Sequence, residues 1–156
     1  MAGASLLASP ARGQAAPPEP DELEALIVPY REILLTRMSE VLAVSPTEMR
    51  ARDPEGPLGN LACDIVLASA RRTTGLPVDL CVLNNGGLRA SLPLGAVTLG
   101  HVYEIMPFDN EIVILRLSGP QIRVLADEIA AGGGEPVAGL SLAIRDGRAA
   151  ELRVGS

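Results

Sequence analysis

The chain has 156 residues, which fits one domain with a single core, alone or with a tail. Hydrophobic residues make up 47% of it, enough to argue against disorder, while aromatics make up only 2%, so the core must be built from Leu, Ile, Val and Ala. A formal net charge of −6 argues against broad, sequence-independent binding of nucleic acid, which needs a basic face, but leaves room for a small anion held by one or two arginines.

The first twenty residues, MAGASLLASPARGQAAPPEP, are rich in Ala, Gly, Ser and Pro. Gly13-Gln14-Ala15 resembles a small-residue cleavage site, but no basic stretch precedes the short apolar part. The segment reads either as the remnant of a secretory signal, which implies a periplasmic or extracellular protein, or as a disordered linker. Residues 1–20 are therefore set apart, and 21–156 are read as one domain. No apolar run is long enough to span a membrane.

Over residues 21–44 apolar side chains recur at helical spacing, from Leu23 through Leu26, Ile27 and Ile33 to Val41 and Leu42, with Pro29 expected to kink the helix or mark its start. The polar run MRARDPEGP leads to a second helix over 58–73, which Gly75 should stop. The apolar run VDLCVL predicts a buried strand that empties into the turn NNGGLR. A short extended piece at 96–99 and one or two helical turns up to Pro107 follow. EIVILRL, at 111–117, predicts another strand. Ser118 is placed to cap a further helix that begins with Pro120 in its first turn and ends at three glycines. Two short runs flanking Asp146-Gly147 predict a hairpin. This order of elements predicts an α+β domain, with helices against a mixed β-sheet.

Several residues could carry chemistry. In Asn84-Asn85-Gly86-Gly87-Leu88-Arg89, the two glycines can take positive φ and let a ligand approach the main chain. Successive N–H groups in such a turn can point at an anion, Asn84 can donate and accept, and Arg89 offers a planar cation. The plainer reading is a tight turn with a surface arginine. Phe108, the single Phe, falls on a loop, where it either presents its face to a planar ring or plugs the core. Arg50 and Arg52 precede the start of the second helix, where an anion could sit, and Asn60 lies in its first turn. With Asn110, these form a secondary set of binding candidates; the alternative for the arginines is a solvated basic stretch.

Catalytic candidates are poor. His101 is the single histidine, and the pattern contains no metal-ligating cluster or nucleophile elbow. Cys63 and Cys81 lack metal-binding spacing and read as two buried free thiols, with a single disulfide left open if the chain is exported.

Together, EGPLGNLACDIVLASA and VLNNGGLRASLPLGAVTLGHVYEIMPFDNEIVILRLSGPQI resemble the C-terminal domain of 5'-nucleotidases and UDP-sugar hydrolases, over residues 55–121. The later GGGEPVAGL and the DGR hairpin fit the same pattern. The resemblance implies a domain that grips a nucleotide or nucleoside, while a separate metallophosphoesterase domain, holding two divalent metals, hydrolyses the phosphate ester. It implies substrate contacts from Asn84 and Arg89, beside Gly86 and Gly87, and stacking of the base on Phe108. It implies no catalytic residue, metal ligand or cofactor in this chain, and a partner in the form of a metallophosphoesterase chain. Pro54 stands where the family often has an arginine, for which Arg50 or Arg52 would substitute. The family pattern also extends beyond Ser156, with a further strand and a Gly-Gly-Asp-Gly segment bearing a second aromatic, so the domain is read as incomplete. Two functional expectations follow: a substrate-binding domain for nucleotide catabolism that is inactive alone, or a non-catalytic relic or interaction module that no longer binds nucleotide.

Overall fold

A computed structural model describes residues 20–52 and 54–155. The expected signal remnant or linker at 1–20 lies outside the described residues except for Pro20, which opens the first helix. The chain divides into two units, residues up to Leu35 and residues from Thr36 onward. In the first lies most of helix α1 (Pro20–Met38), which carries an Arg31–Glu24 ion pair of 2.6 Å. Pro29 falls inside this helix and neither starts nor ends it.

The helix is shorter than its apolar spacing predicts. Residues 41–45 form strand β1 (Val41–Ser45), which pairs antiparallel with β3 (Gly95–Thr98). Val41, Leu42 and Val44 fit a helical face by spacing, yet Val is stiff at χ1 and suits a pleated strand once a pairing edge is available. That edge comes from fifty or more positions further along the chain, where local periodicity carries no signal.

Helix α2 (Pro57–Thr74) starts with Pro57 at its first position and ends at Gly75, which has φ 67° and returns its N–H to the Arg71 carbonyl. Strand β2 (Cys81–Val82) is all that forms of the expected strand at 78–83, and it pairs with β4 (Val137–Ala138). Helix α3 (Leu99–Ile105) is opened by a reciprocal cap: Thr98 Oγ1 accepts from the His101 N–H at 3.3 Å, and His101 Nδ1 accepts from the Thr98 N–H at 3.0 Å. The single histidine is thereby used as a helix cap. Helix α4 (Gly119–Ala131) is capped in the same way by Ser118 and Gln121. Strands β5 (Leu140–Arg145) and β6 (Arg148–Val154) form the expected hairpin, with Asp146 at φ 50° and Gly147 at φ 70°, the left-handed pair that a two-residue turn needs.

The architecture is α+β, as the order of elements predicts. The described strands are distributed over three two-stranded antiparallel ladders, β1–β3, β2–β4 and β5–β6. One core cluster joins Leu58, Leu92, Val97 and Ile105, and a second joins Cys63, Leu67 and Ala138. Both are free of aromatic rings, as the composition requires.

The expected strand at 111–117 does not form. The segment is non-helical, and its main chain makes no hydrogen bond to any described residue. Val113 and Leu115 are each 70% exposed. Its β-branched sequence fits a strand, but a strand exists only where a neighbouring edge takes its N–H and C=O groups. An open apolar edge of this kind invites self-association. Leu115→Lys should therefore raise the concentration at which light scattering first detects aggregates, while moving stability by no more than about 0.5 kcal/mol in urea unfolding.

Candidate functional site

Beyond β2 the chain enters the turn at 84–89, a single 3-10 turn over Asn85–Gly87. Neither Gly86 nor Gly87 takes positive φ, in contrast to the sequence expectation. A Cβ on Gly87 would instead lie 3.0 Å from Asn84 Oδ1, a tight contact that the Asn84 side chain, folded back over the turn, would have to relieve. Most of the turn's N–H groups are also committed. Gly87 donates to the Asn84 carbonyl at 3.0 Å, Leu88 to that of Asn85 at 3.0 Å, and Arg89 to that of Ile105 at 2.8 Å. The Asn85 N–H donates to Glu135 Oε2 at 2.6 Å. A carboxylate of the chain itself thus occupies the place the sequence suggests for an external anion, and the main chain of this turn is not an open anion nest.

Glu135 belongs to a loop that sequence reasoning does not assign to the site. Gly134 accepts a second bond from Asn85, from Nδ2 at 3.4 Å, and the Pro136 carbonyl accepts from the Leu83 N–H at 2.9 Å. The loop packs against the start of α2: a Cβ on Gly59 would meet Pro136 Cγ at 2.9 Å, and one on Gly134 would meet the Pro54 carbonyl oxygen at 2.4 Å. The available signal is the run of three glycines ahead of Glu135-Pro136. It marks a helix end with close backbone approach, but does not say what is approached.

A cleft of about 1030 Å³ adjoins the turn. Asn84, Gly87, Phe108 and Asn110 all line it, together with Leu88, Met106 and a long apolar wall that includes Leu67, Val82, Ile112 and Leu125. Phe108 is 53% exposed, so it does not plug the core from its loop. The Asn110 N–H bonds the Phe108 carbonyl at 3.0 Å, which tightens that loop. Gly86 and Arg89 are not in the cleft wall, but the exposed Arg89 guanidinium donates to the Gly86 carbonyl at 3.3 Å, and it has no carboxylate partner among the described residues.

The secondary candidates divide. Asn110 joins the cleft; Arg50, Arg52 and Asn60 do not. Arg50 is held by Glu48 through Nε at 2.9 Å and Nη2 at 3.1 Å, and these hydrogen bonds keep the Glu48 carboxyl below the usual carboxylate range. The Arg52 main chain lies against Gly56, where a Cβ would meet its nitrogen at 2.8 Å. Asn60 Nδ2 donates to Glu55 Oε1 at 2.6 Å. Of the two arginines expected to substitute for the family arginine that Pro54 replaces, Arg50 is thus paired with Glu48 at the surface.

The cleft can hold a planar, partly apolar ligand, with amide groups for its polar edge and a guanidinium nearby for an anionic group. No three His, Cys, Asp or Glu side chains among the described residues come together in a way that could hold a metal ion. The fold is therefore an α+β domain with one cleft onto which the candidate residues Asn84, Gly87, Phe108 and Asn110 open from two loops, alongside Asp79, Glu111 and Arg116.

Comparison with known proteins identifies the domain. The family model for the 5'-nucleotidase C-terminal domain matches residues 37–154, and the chain belongs to that family. Among curated relatives, Bacillus subtilis endonuclease YhcR is 32% identical over 109 residues, covering 67% of this chain and 8% of its own length. The trifunctional nucleotide phosphoesterase protein YfkN of the same organism is 33% identical over 97 residues, covering 60% of this chain and 6% of its own. Among solved structures, a 5'-nucleotidase precursor from Thermus thermophilus aligns with a TM-score of 0.66 and 28% identity, over 88% of this chain and 30% of its own. The chain thus spans a small part of the proteins it matches. No described helix is long and apolar enough to cross a membrane.

Proposed function

We propose that this domain binds the nucleoside portion of a nucleotide for a 5'-nucleotidase-type hydrolase in nucleotide catabolism, and that the hydrolytic step belongs to a metallophosphoesterase domain or partner chain. The observation that carries the reading is the convergence of Asn84, Gly87, Phe108 and Asn110 on one cleft from two loops separated by a strand and a helix. In this reading Phe108 stacks on the base, Asn84 and Asn110 hydrogen-bond its edge or the sugar hydroxyls, and Arg89 faces an anionic substituent. The described residues bring no three metal-ligating side chains together, and in this reading the domain orients substrate while the metallophosphoesterase part cleaves it. Two divalent metals would act in the metallophosphoesterase part, and export to the periplasm or beyond belongs to the same reading.

Calorimetric titration of the chain with adenosine, AMP and UDP-glucose tests it. Binding of at least one ligand is expected, weakened by roughly 5- to 150-fold in Phe108→Ala, the equivalent of about 1–3 kcal/mol of base stacking. A chain with an intact unfolding transition that binds none of the three overturns the proposal in favour of a non-catalytic interaction module.

A further inference from the structure

The two cysteines lie 18 positions apart in sequence, on different elements. Cys63 is on the inner face of α2 and is fully buried; Cys81 opens β2 and packs against the cluster that contains Cys63. The packing of β2 on α2 thus brings both cysteines into one cluster. Exposure differs between them in a way that matters for chemistry. Cys81 is only partly buried and lines the cleft, whereas Cys63 does not. Cys81 can therefore be reached by a small molecule from the cleft, while Cys63 lies in the core cluster against which Cys81 packs.

We propose that Cys63 and Cys81 form a reversible intramolecular disulfide, with Cys81 as the attacking thiol and Cys63 as the resolving one. The Cys81 thiolate attacks one sulfur of a low-molecular-weight disulfide, breaking its S–S bond and releasing one thiolate. Cys63 then loses its proton and attacks the Cys81 sulfur of the mixed disulfide, expelling the second small thiol. The chain gives up two electrons and two protons, and the oxidant is reduced to two thiols. Exposure favours this order: Cys81 lines the cleft, whereas Cys63 is fully buried and so reacts only with a sulfur already bound next to it.

The bond would fasten β2 to α2 and close a loop that includes the Gly75 cap. Such a link stabilises chiefly by restricting the unfolded chain. Cys81 lies three positions before Asn84, so the link also anchors the strand from which the candidate binding turn emerges. The proposal does not depend on what the cleft binds.

The test uses the full chain incubated with oxidised glutathione, read by intact mass, thiol titration after denaturation and peptide mapping. The expected result is loss of both thiols, a mass lower by two hydrogens, a Cys63–Cys81 cross-linked peptide, and a higher thermal midpoint that dithiothreitol reverses. Cys63→Ser should stop at a glutathione adduct on Cys81, and Cys81→Ser should leave Cys63 unmodified. In the unsubstituted chain, whose fold is not in question, a persistent glutathione adduct, a disulfide-linked dimer or two unreacted thiols would each overturn the proposal.

Discussion

Replacing Gly134 by Ala is expected to lower the stability of the fold by about 2–6 kcal/mol, enough to unfold a domain of ordinary marginal stability. Two penalties add. Gly134 sits at φ +116°, a conformation that side-chain-bearing residues rarely adopt. Its Cβ would also fall 2.4 Å from the Pro54 carbonyl oxygen and 2.6 Å from the Pro54 Cα, both backbone atoms that cannot swing aside. Gly147→Ala provides the comparison. That glycine has φ +70° but nothing within 4 Å, so only the conformational penalty of about 1–2 kcal/mol applies. Urea unfolding of the two variants should separate them clearly. Equal midpoints would mean that the loop at 132–136 does not press against Pro54 as described.

Removing the Glu135 carboxylate should have the next largest effect, and it should reach the site. The Asn85 N–H that it accepts is partly buried, and truncation leaves that donor without this partner. Glu135→Ala is expected to cost about 1–3 kcal/mol of stability. Because Asn85 lies between Asn84 and Gly86, the same substitution should loosen the turn and weaken nucleoside binding, although Glu135 is not in the cleft wall. Glu135→Gln keeps a side-chain acceptor of the same length and should recover a good part of both losses. If Glu135→Ala lowers stability while leaving calorimetric affinity unchanged, the turn is held in place by its remaining bonds and Glu135 is a structural brace alone.

The candidate site is partly legible in the sequence. Asn84, Gly87, Phe108 and Asn110 stand out in two short motifs, and they line one cleft. Arg50 and Asn60 stand out on the same kind of reasoning and are instead engaged with Glu48 and Glu55. Residue type does not separate the two groups, because an exposed arginine and an arginine with a carboxylate two residues away look alike until side-chain directions are known. The glycines of the turn show a similar limit. The sequence suggests positive φ at these glycines, whereas neither takes it, and a Cβ at Gly87 would meet the folded-back Asn84 side chain at 3.0 Å.

What the sequence alone determined is local. The α2 boundaries, the Ser118 cap, the Gly75 stop and the Asp146-Gly147 hairpin all follow from capping groups and turn residues within a few positions of where they act. The absence of an aromatic core follows from composition. What only the tertiary structure decided is long-range. Strand β1 exists because β3 offers it an edge, and residues 111–117, with a strongly strand-like sequence, are unpaired because no described element does. The Glu135 carboxylate reaches Asn85 across fifty positions, and Cys63 meets Cys81 only when α2 packs on β2. Hydrogen-bonding edges and close contacts are properties of pairs of segments, and a single segment does not contain the information on its partner.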